Sequence, residues 1–136
     1  ELMRIEITET AYTGESEAVN KLTADLHTRG FSTYMDDFGT GQSTLAMLKN
    51  VNVDVIKLDR TFVPADGDQG RSAQIITSML DMAQSLHLPV VVEGVETNEQ
   101  ANILRHMGAR YAQGFLYYRP MPANDFEALL DGGKNN

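Results

Sequence analysis

The chain contains no cysteine. Disulfides, thiolate zinc sites and a cysteine nucleophile are therefore excluded, and the composition fits a reducing compartment. No apolar run approaches the roughly 18 residues of a membrane span, and no signal-peptide pattern opens the chain. Low-complexity stretches are missing too, so no segment reads as disordered by composition. Positive charge is scarce, with 11 Lys and Arg against 19 Asp and Glu and a formal net charge of -8. That balance argues against non-specific binding to a nucleic-acid polymer. A phosphorylated ligand stays open to such a chain where metal ions supply the positive charge. At 136 residues, 42% of them apolar, the chain has the size and composition of one globular domain with a real core.

Hydrophobic periodicity alternates between strand and helix. Arg4 to Thr8 alternates in character and reads as a strand ending near Glu9. Ala18, Val19, Leu22 and Leu26 form one face of a helix from about residue 15 to 29, with Gly30 in the C-cap position. A strand opening at Phe31 then runs into Tyr34-Met35-Asp36-Asp37-Phe38-Gly39-Thr40-Gly41-Gln42-Ser43. Neighbouring side chains on a strand face opposite ways, so Asp36 and Asp37 share a ligand only where that strand is ending. Gly39 and Gly41 let the loop close tightly over whatever the carboxylates hold.

A short helix from Ser43 to Lys49 follows, with Leu45 and Leu48 inward, then a strand from Val53 to Leu58 and an acidic loop from Pro64 to Gly70. The stretch from Ala73 to Leu86 predicts a helix with a broad apolar face that includes Ile75, Ile76, Met79, Leu80, Met82, Ala83 and Leu86. Pro89 to Val92 is a strand, Glu99 to Met107 a helix stopped by Gly108, Tyr111 to Gly114 a strand and Asp125 to Leu130 a helix. A polar tail from Asp131 closes the chain. Strands such as Val90 to Val92, apolar on both faces, mark a parallel sheet covered by helices. An open doubly wound sheet and part of a (β/α)8 barrel both give this order.

The candidate polar residues fall at the C-terminal ends of the predicted strands. Glu6 and Glu9 close the first, Asp36 and Asp37 the second, Lys57 and Asp59 the third, Glu93 and Glu96 the fourth, and Gln113 the fifth. In α/β folds that end is the functional rim. Carboxylates bind Mg²⁺ or Mn²⁺ through oxygen, and a pair of such ions clamps the attacking and leaving oxygens of a phosphodiester displacement. Glu6, Asp36, Asp37 and Glu93 supply up to four ligands, and Lys57 is the natural partner of the attacking water or a phosphate oxygen. The plainer reading of Lys57 is a salt bridge to Asp59. His27, His87 and His106 fall in helices or at their ends and read as surface residues; Met47, Met79, Met82 and Met107 read as core. Tyr117 and Tyr118 either stack on a base or pack under the last helix.

Glu6-Ile7-Thr8-Glu9, Asp36-Asp37-Phe38-Gly39-Thr40-Gly41, Lys57-Leu58-Asp59, Glu93-Gly94-Val95-Glu96-Thr97, and Gln113-Gly114 with Pro120 beyond resemble the EAL-domain cyclic-di-GMP phosphodiesterases, in order and in spacing. The resemblance implies a (β/α)8, TIM-like barrel, represented here by about its last five β/α units, that hydrolyses cyclic di-GMP to linear pGpG with two Mg²⁺ or Mn²⁺ ions. It implies Glu6, Asp36, Asp37 and Glu93 as metal ligands, Asp36 bridging both ions, and Lys57 orienting the nucleophilic water. Glu96 joins the catalytic set as a supporting residue. Asp59, near the second metal, and Gln113 contact substrate. Glu9 anchors the aspartate loop.

Two departures from the family pattern stand out. The motif that gives the family its name, with a metal-binding Glu and a substrate-binding Arg, is absent, as is an Asn ligand expected before Glu6. Residues 1–136 then read as the C-terminal part of a single EAL domain, short of roughly the first three β/α units. Gln42 also stands where the loop usually carries an aromatic residue, and Thr44 where it has Ser. A partial barrel exposes strand edges and apolar interior, so the chain alone is expected to self-associate and to be inactive. For the complete domain the resemblance implies a homodimer, cytoplasmic location, and sensor or GGDEF domains upstream. The alternative reading is a catalytically degenerate module that binds cyclic di-GMP or a protein partner without turnover. A receptor of that kind has no physical need for Lys57 beside all the carboxylates.

Overall fold

The computed structural model describes residues 3–40, 45–63 and 70–132. Its elements run β1 (Arg4–Thr8), α1 (Glu9–Gly14), α2 (Ser16–Thr28), β2 (Ser32–Phe38), α3 (Leu45–Asn50), β3 (Val55–Leu58), α4 (Arg71–Ser85), β4 (Val90–Val92), α5 (Asn98–His106), β5 (Tyr111–Ala112) and α6 (Ala123–Gly132). The five strands form one parallel sheet in the order β1-β2-β3-β4-β5, each beside its neighbour in the chain. This is part of a (β/α)8, TIM-like barrel, and it decides between the two architectures that the strand–helix alternation left open.

Alternation along the strands sorts the side chains onto two faces. Ile7, Met35, Ile56 and Leu58, and Val92 lie on the helix-covered face, and Met35, Ile56, Leu58 and Val92 are almost wholly buried there. Each such side chain contributes roughly 1.5–3 kcal/mol by leaving water. Glu6, Tyr34, Val55, Lys57, Val91 and Tyr111 lie on the other face, which is the barrel's interior side. Tyr111 is 57% exposed there.

β2 and β3 slip register between Met35 and Phe38, where three steps on β2 match two on β3. The extra residue is a bulge, and Asp37 within it has φ of 56°. The strand therefore continues through the aspartates to Phe38 rather than ending at them.

The helices differ from expectation in ways that local chemistry explains. Glu9 does not close β1; it opens α1, whose N-cap is Thr8, its hydroxyl accepting the Ala11 N–H at 3.3 Å. α4 buries Ala73, Ile76, Leu80 and Ala83, while Ile75 and Leu86 are exposed. Successive helical residues diverge by about 100°, so Ile75 and Ile76 cannot both face the sheet, and Leu86 lies beyond the last turn. α5 starts at a capping box in which Thr97 and Gln100 exchange side-chain and backbone hydrogen bonds. α6 buries no residue, and Tyr117 and Tyr118 ahead of it are exposed rather than packed beneath it.

His27 is not an idle surface residue. Its Nε2 lies 3.0 Å from both Thr33 Oγ1 and Asp54 Oδ2, and the Thr33 N–H donates to the same Asp54 oxygen at 2.7 Å. The cluster ties the end of α2 to the beginning of β2 and the approach to β3. His87 and His106 are exposed, and Met47 is buried. The predicted helix start at Ser43, the loop residues Gly41, Gln42 and Thr44, the loop from Pro64 to Gln69 and the tail beyond Gly132 lie outside the described residues.

Candidate active site

The C-terminal ends of four strands converge on one ammonium group. Lys57 comes from β3 on the interior face, only 4% exposed, and its Nζ lies 2.8 Å from Glu6 of β1 and 2.9 Å from both Asp36 of β2 and Glu93 beyond β4. Strand register dictates this meeting, because Glu6, Asp36 and Lys57 occupy same-face positions on adjacent strands and Glu93 follows by two residues Val91, the partner of Lys57 on β4. Burial works to lower the Lys57 pKa, but the carboxylates of Glu6, Asp36 and Glu93 outweigh it and hold the amine above the ordinary lysine range. The plainer salt bridge to Asp59 is not what forms. Asp59 instead turns its carboxylate onto the Thr61 N–H at 2.8 Å. The Thr61 hydroxyl above all, then this N–H and that of Arg60, hold its pKa below the ordinary carboxylate value.

Glu93 is pushed the other way. Burial raises its pKa, Lys57 opposes the rise, and the like charge of Asp36 adds to it. The ammonium meets Asp36 Oδ1 at 2.9 Å and is that oxygen's charged partner. Asp37, turned by the bulge, joins Asp36 and Glu93 in a set whose ligand oxygens lie within 4.8 Å of one another. That span is about twice a metal–oxygen bond of roughly 2.0–2.6 Å. Three carboxylates whose oxygens crowd within this span make an all-oxygen donor set that fits a hard divalent cation.

Glu9 stands behind the loop. It is 2% exposed, and its Oε2 accepts the Gly39 N–H at 3.0 Å. Beside Glu93 opens a cleft of about 260 Å³ whose walls include Asp59, Arg60, Glu96, Gln113 and Phe115. Glu96 lines that cleft, its backbone N–H held by Gln100 Oε1 at 2.8 Å, and makes no ion pair with Lys57. Gln113 is fixed through its backbone, donating to Val92 O at 2.8 Å. The structure thus gathers Glu6, Asp36, Asp37, Lys57 and Glu93 at one centre and sets Asp59, Glu96 and Gln113 on the adjoining cleft.

Sequence reasoning passed over Arg60 and the 3-10 turn Arg60–Phe62 that carries it. An Asp two residues before Thr61 is a capping signal that would have found the turn. A second groove, about 340 Å³, lies at the opposite ends of the strands against Leu80, Pro89, Arg110 and Tyr111, and none of the clustered carboxylates reaches it.

Residues 1–120 match the family model described as EAL domain. The cyclic di-GMP phosphodiesterase RocR of Pseudomonas aeruginosa is 42% identical over 127 residues, 93% of this chain and 32% of RocR. The crystal structure of the EAL domain of Mycobacterium smegmatis DcpA superposes with a TM-score of 0.84 at 37% identity, covering 94% of this chain and 57% of that one. The Klebsiella pneumoniae BlrP1 structure, a manganese and cyclic di-GMP complex, gives 0.78 at 35% identity, over 87% of this chain and 31% of BlrP1. The chain spans about a sixth to a third of the length of such curated relatives.

Proposed function

The chain belongs to the EAL domain family, and from that premise we propose that it carries the lysine–carboxylate half of a site that hydrolyses cyclic di-GMP to linear pGpG. The observation that carries the reading is the convergence of Lys57 with Glu6, Asp36 and Glu93 at the strand ends, with Asp37 brought beside them by the bulge. In it Glu6, Asp36, Asp37 and Glu93 would hold two divalent ions, Mg²⁺ or Mn²⁺. When bound, the ions supply Lewis acidity to the phosphodiester and its attacking water.

The protein's own groups do the rest. Lys57, kept protonated by its carboxylates, is a donor and not a base, so it orients the water or a phosphate oxygen and stabilises negative charge there. Asp59 and Gln113 position substrate in the cleft, Arg60 on its wall faces the phosphates, and Glu96 supports the wall. Glu9 keeps the aspartate loop in place through Gly39. In this reading the complete domain is a cytoplasmic homodimer with regulatory domains upstream. Among the described residues no helix is long and apolar enough to cross a membrane.

Five strands do not close an eight-stranded barrel, so we propose that this chain alone is inactive and turns over when the first β/α units are supplied. The test is a chimera carrying those units from the DcpA EAL domain, assayed with cyclic di-GMP and Mn²⁺ beside an Asp36→Ala copy. Linear dinucleotide formed by the chimera and abolished in the copy is the expected result. Tight cyclic di-GMP binding without turnover by a folded chimera would overturn it in favour of a binding module.

A further inference from the structure

The turn Arg60–Phe62 lies between β3 and α4, and the chemistry assigned above gives its backbone no task. Asp59 caps it, and the Phe62 N–H closes it on the Asp59 carbonyl at 3.0 Å. The turn touches both loops that carry candidate ligands. On one side is Gly39, two residues after Asp37, with φ of +93°; a Cβ there would fall 2.6 Å from Cζ of Phe62. On the other is Gly94, immediately after Glu93, with φ of +71°; a Cβ there would run into Cβ of Arg60. Only glycine offers both the left-handed backbone and the room for this approach.

Asp37, without that freedom, also sits in the left-handed region, and such a residue persists only where its surroundings hold it. Glu9 holds the loop through the Gly39 N–H. The Phe62 ring closes on the α-carbon of the same glycine, alongside the methyl of Met79 from α4.

We propose that the Arg60–Phe62 turn is a spacer that fixes the gap between Asp37 and Glu93, and that Phe62 is a positioning residue which, with Glu9, clamps Gly39 so that Asp37 faces the other carboxylates. This rests on reading Asp36, Asp37 and Glu93 as a divalent-cation site. Groups that orient ligands without touching the ion govern affinity through geometry, and losing one weakens binding by roughly tenfold to a hundredfold.

The test is Mn²⁺ binding to the purified chain, followed by electron paramagnetic resonance at a temperature where circular dichroism shows every variant folded. Hydrogen exchange at the Gly39 amide is read in parallel. Phe62→Ala is expected to weaken Mn²⁺ about tenfold or more and to speed Gly39 exchange, while Phe62→Leu recovers most of the affinity. Leu104→Ala, a core truncation in the last turn of α5, is expected to lower the melting temperature while leaving Mn²⁺ affinity unchanged. Equal Mn²⁺ affinity in Phe62→Ala and wild type would overturn the spacer, as would an equal loss in Leu104→Ala. A wild-type chain that takes up no Mn²⁺ would sink the cation-site reading, and the spacer with it.

Discussion

Lys57 is a buried cation whose partners all carry negative charge, and its worth to the protein depends on what else shares the site. Replacing it by methionine keeps the stem and removes the charge, leaving Glu6, Asp36 and Glu93 to repel one another. In the completed barrel, Lys57→Met is expected to lower kcat by roughly a hundredfold to a thousandfold, the range for losing one preorganised donor, with a smaller change in KM. Steady-state kinetics check it. The same substitution lowers the melting temperature of the metal-free chain, and Mn²⁺ restores part of the loss by neutralising the crowded oxygens. Much of this centre was legible beforehand, because strand ends in a parallel sheet meet and the residues there were carboxylates and a lysine. The turning of Asp37 was not legible. Alternation points it to the helix side, and only the extra residue in β2, a fact of register with β3, brings it round.

At the scale of elements, caps decide where chains turn. Thr97→Ala removes the hydroxyl from the α5 capping box and is expected to cost about 1 kcal/mol in urea unfolding. Asp59 caps the 3-10 turn, and its pKa in the folded chain lies below the ordinary value. Its contribution is therefore present above the unfolded-state pKa of about 3.9 and is lost as pH falls through the lower folded-state value. The stability gap between wild type and Asp59→Ala should hold steady at pH 5 to 7 and close on acidification below about 4, as read from urea midpoints. Helix and strand order were readable from periodicity. The α1 turn was not, since six residues are too few to show a period, and only Thr8 as a cap announces it. The apolar face of α4 was drawn too wide for the same physical reason that Ile75 is exposed: a sheet touches one stripe of a helix.

For the whole molecule, a net charge of -8 and a carboxylate-lined rim make divalent cations stabilising ligands. At a hundred times its dissociation constant, Mn²⁺ adds about 2.7 kcal/mol to the folded state. Thermal melts should rise with Mn²⁺ and fall back with EDTA, and a melt indifferent to both would contradict the site. β1 and β5 are the edges of the sheet, with Tyr111 exposed on its interior face, and such an edge invites pairing with another chain. Tyr111→Lys is expected to reduce self-association in sedimentation velocity. The parallel sheet itself was legible from strands apolar on both faces. Its continuity as a barrel wall was not, because the same alternation serves an open sheet.

Strand order that copies chain order has a consequence for synthesis. As the polypeptide leaves a ribosome, every strand from β2 onward meets its partner already made, so the sheet can grow by addition at one edge without rearrangement. Glu6 and Asp36 arrive before the cation that neutralises them. Lys57 follows roughly twenty residues later, about one to four seconds at ~5–20 residues per second. For that interval the nascent rim is an uncompensated acidic patch, attractive to free Mg²⁺ well before Glu93 completes it.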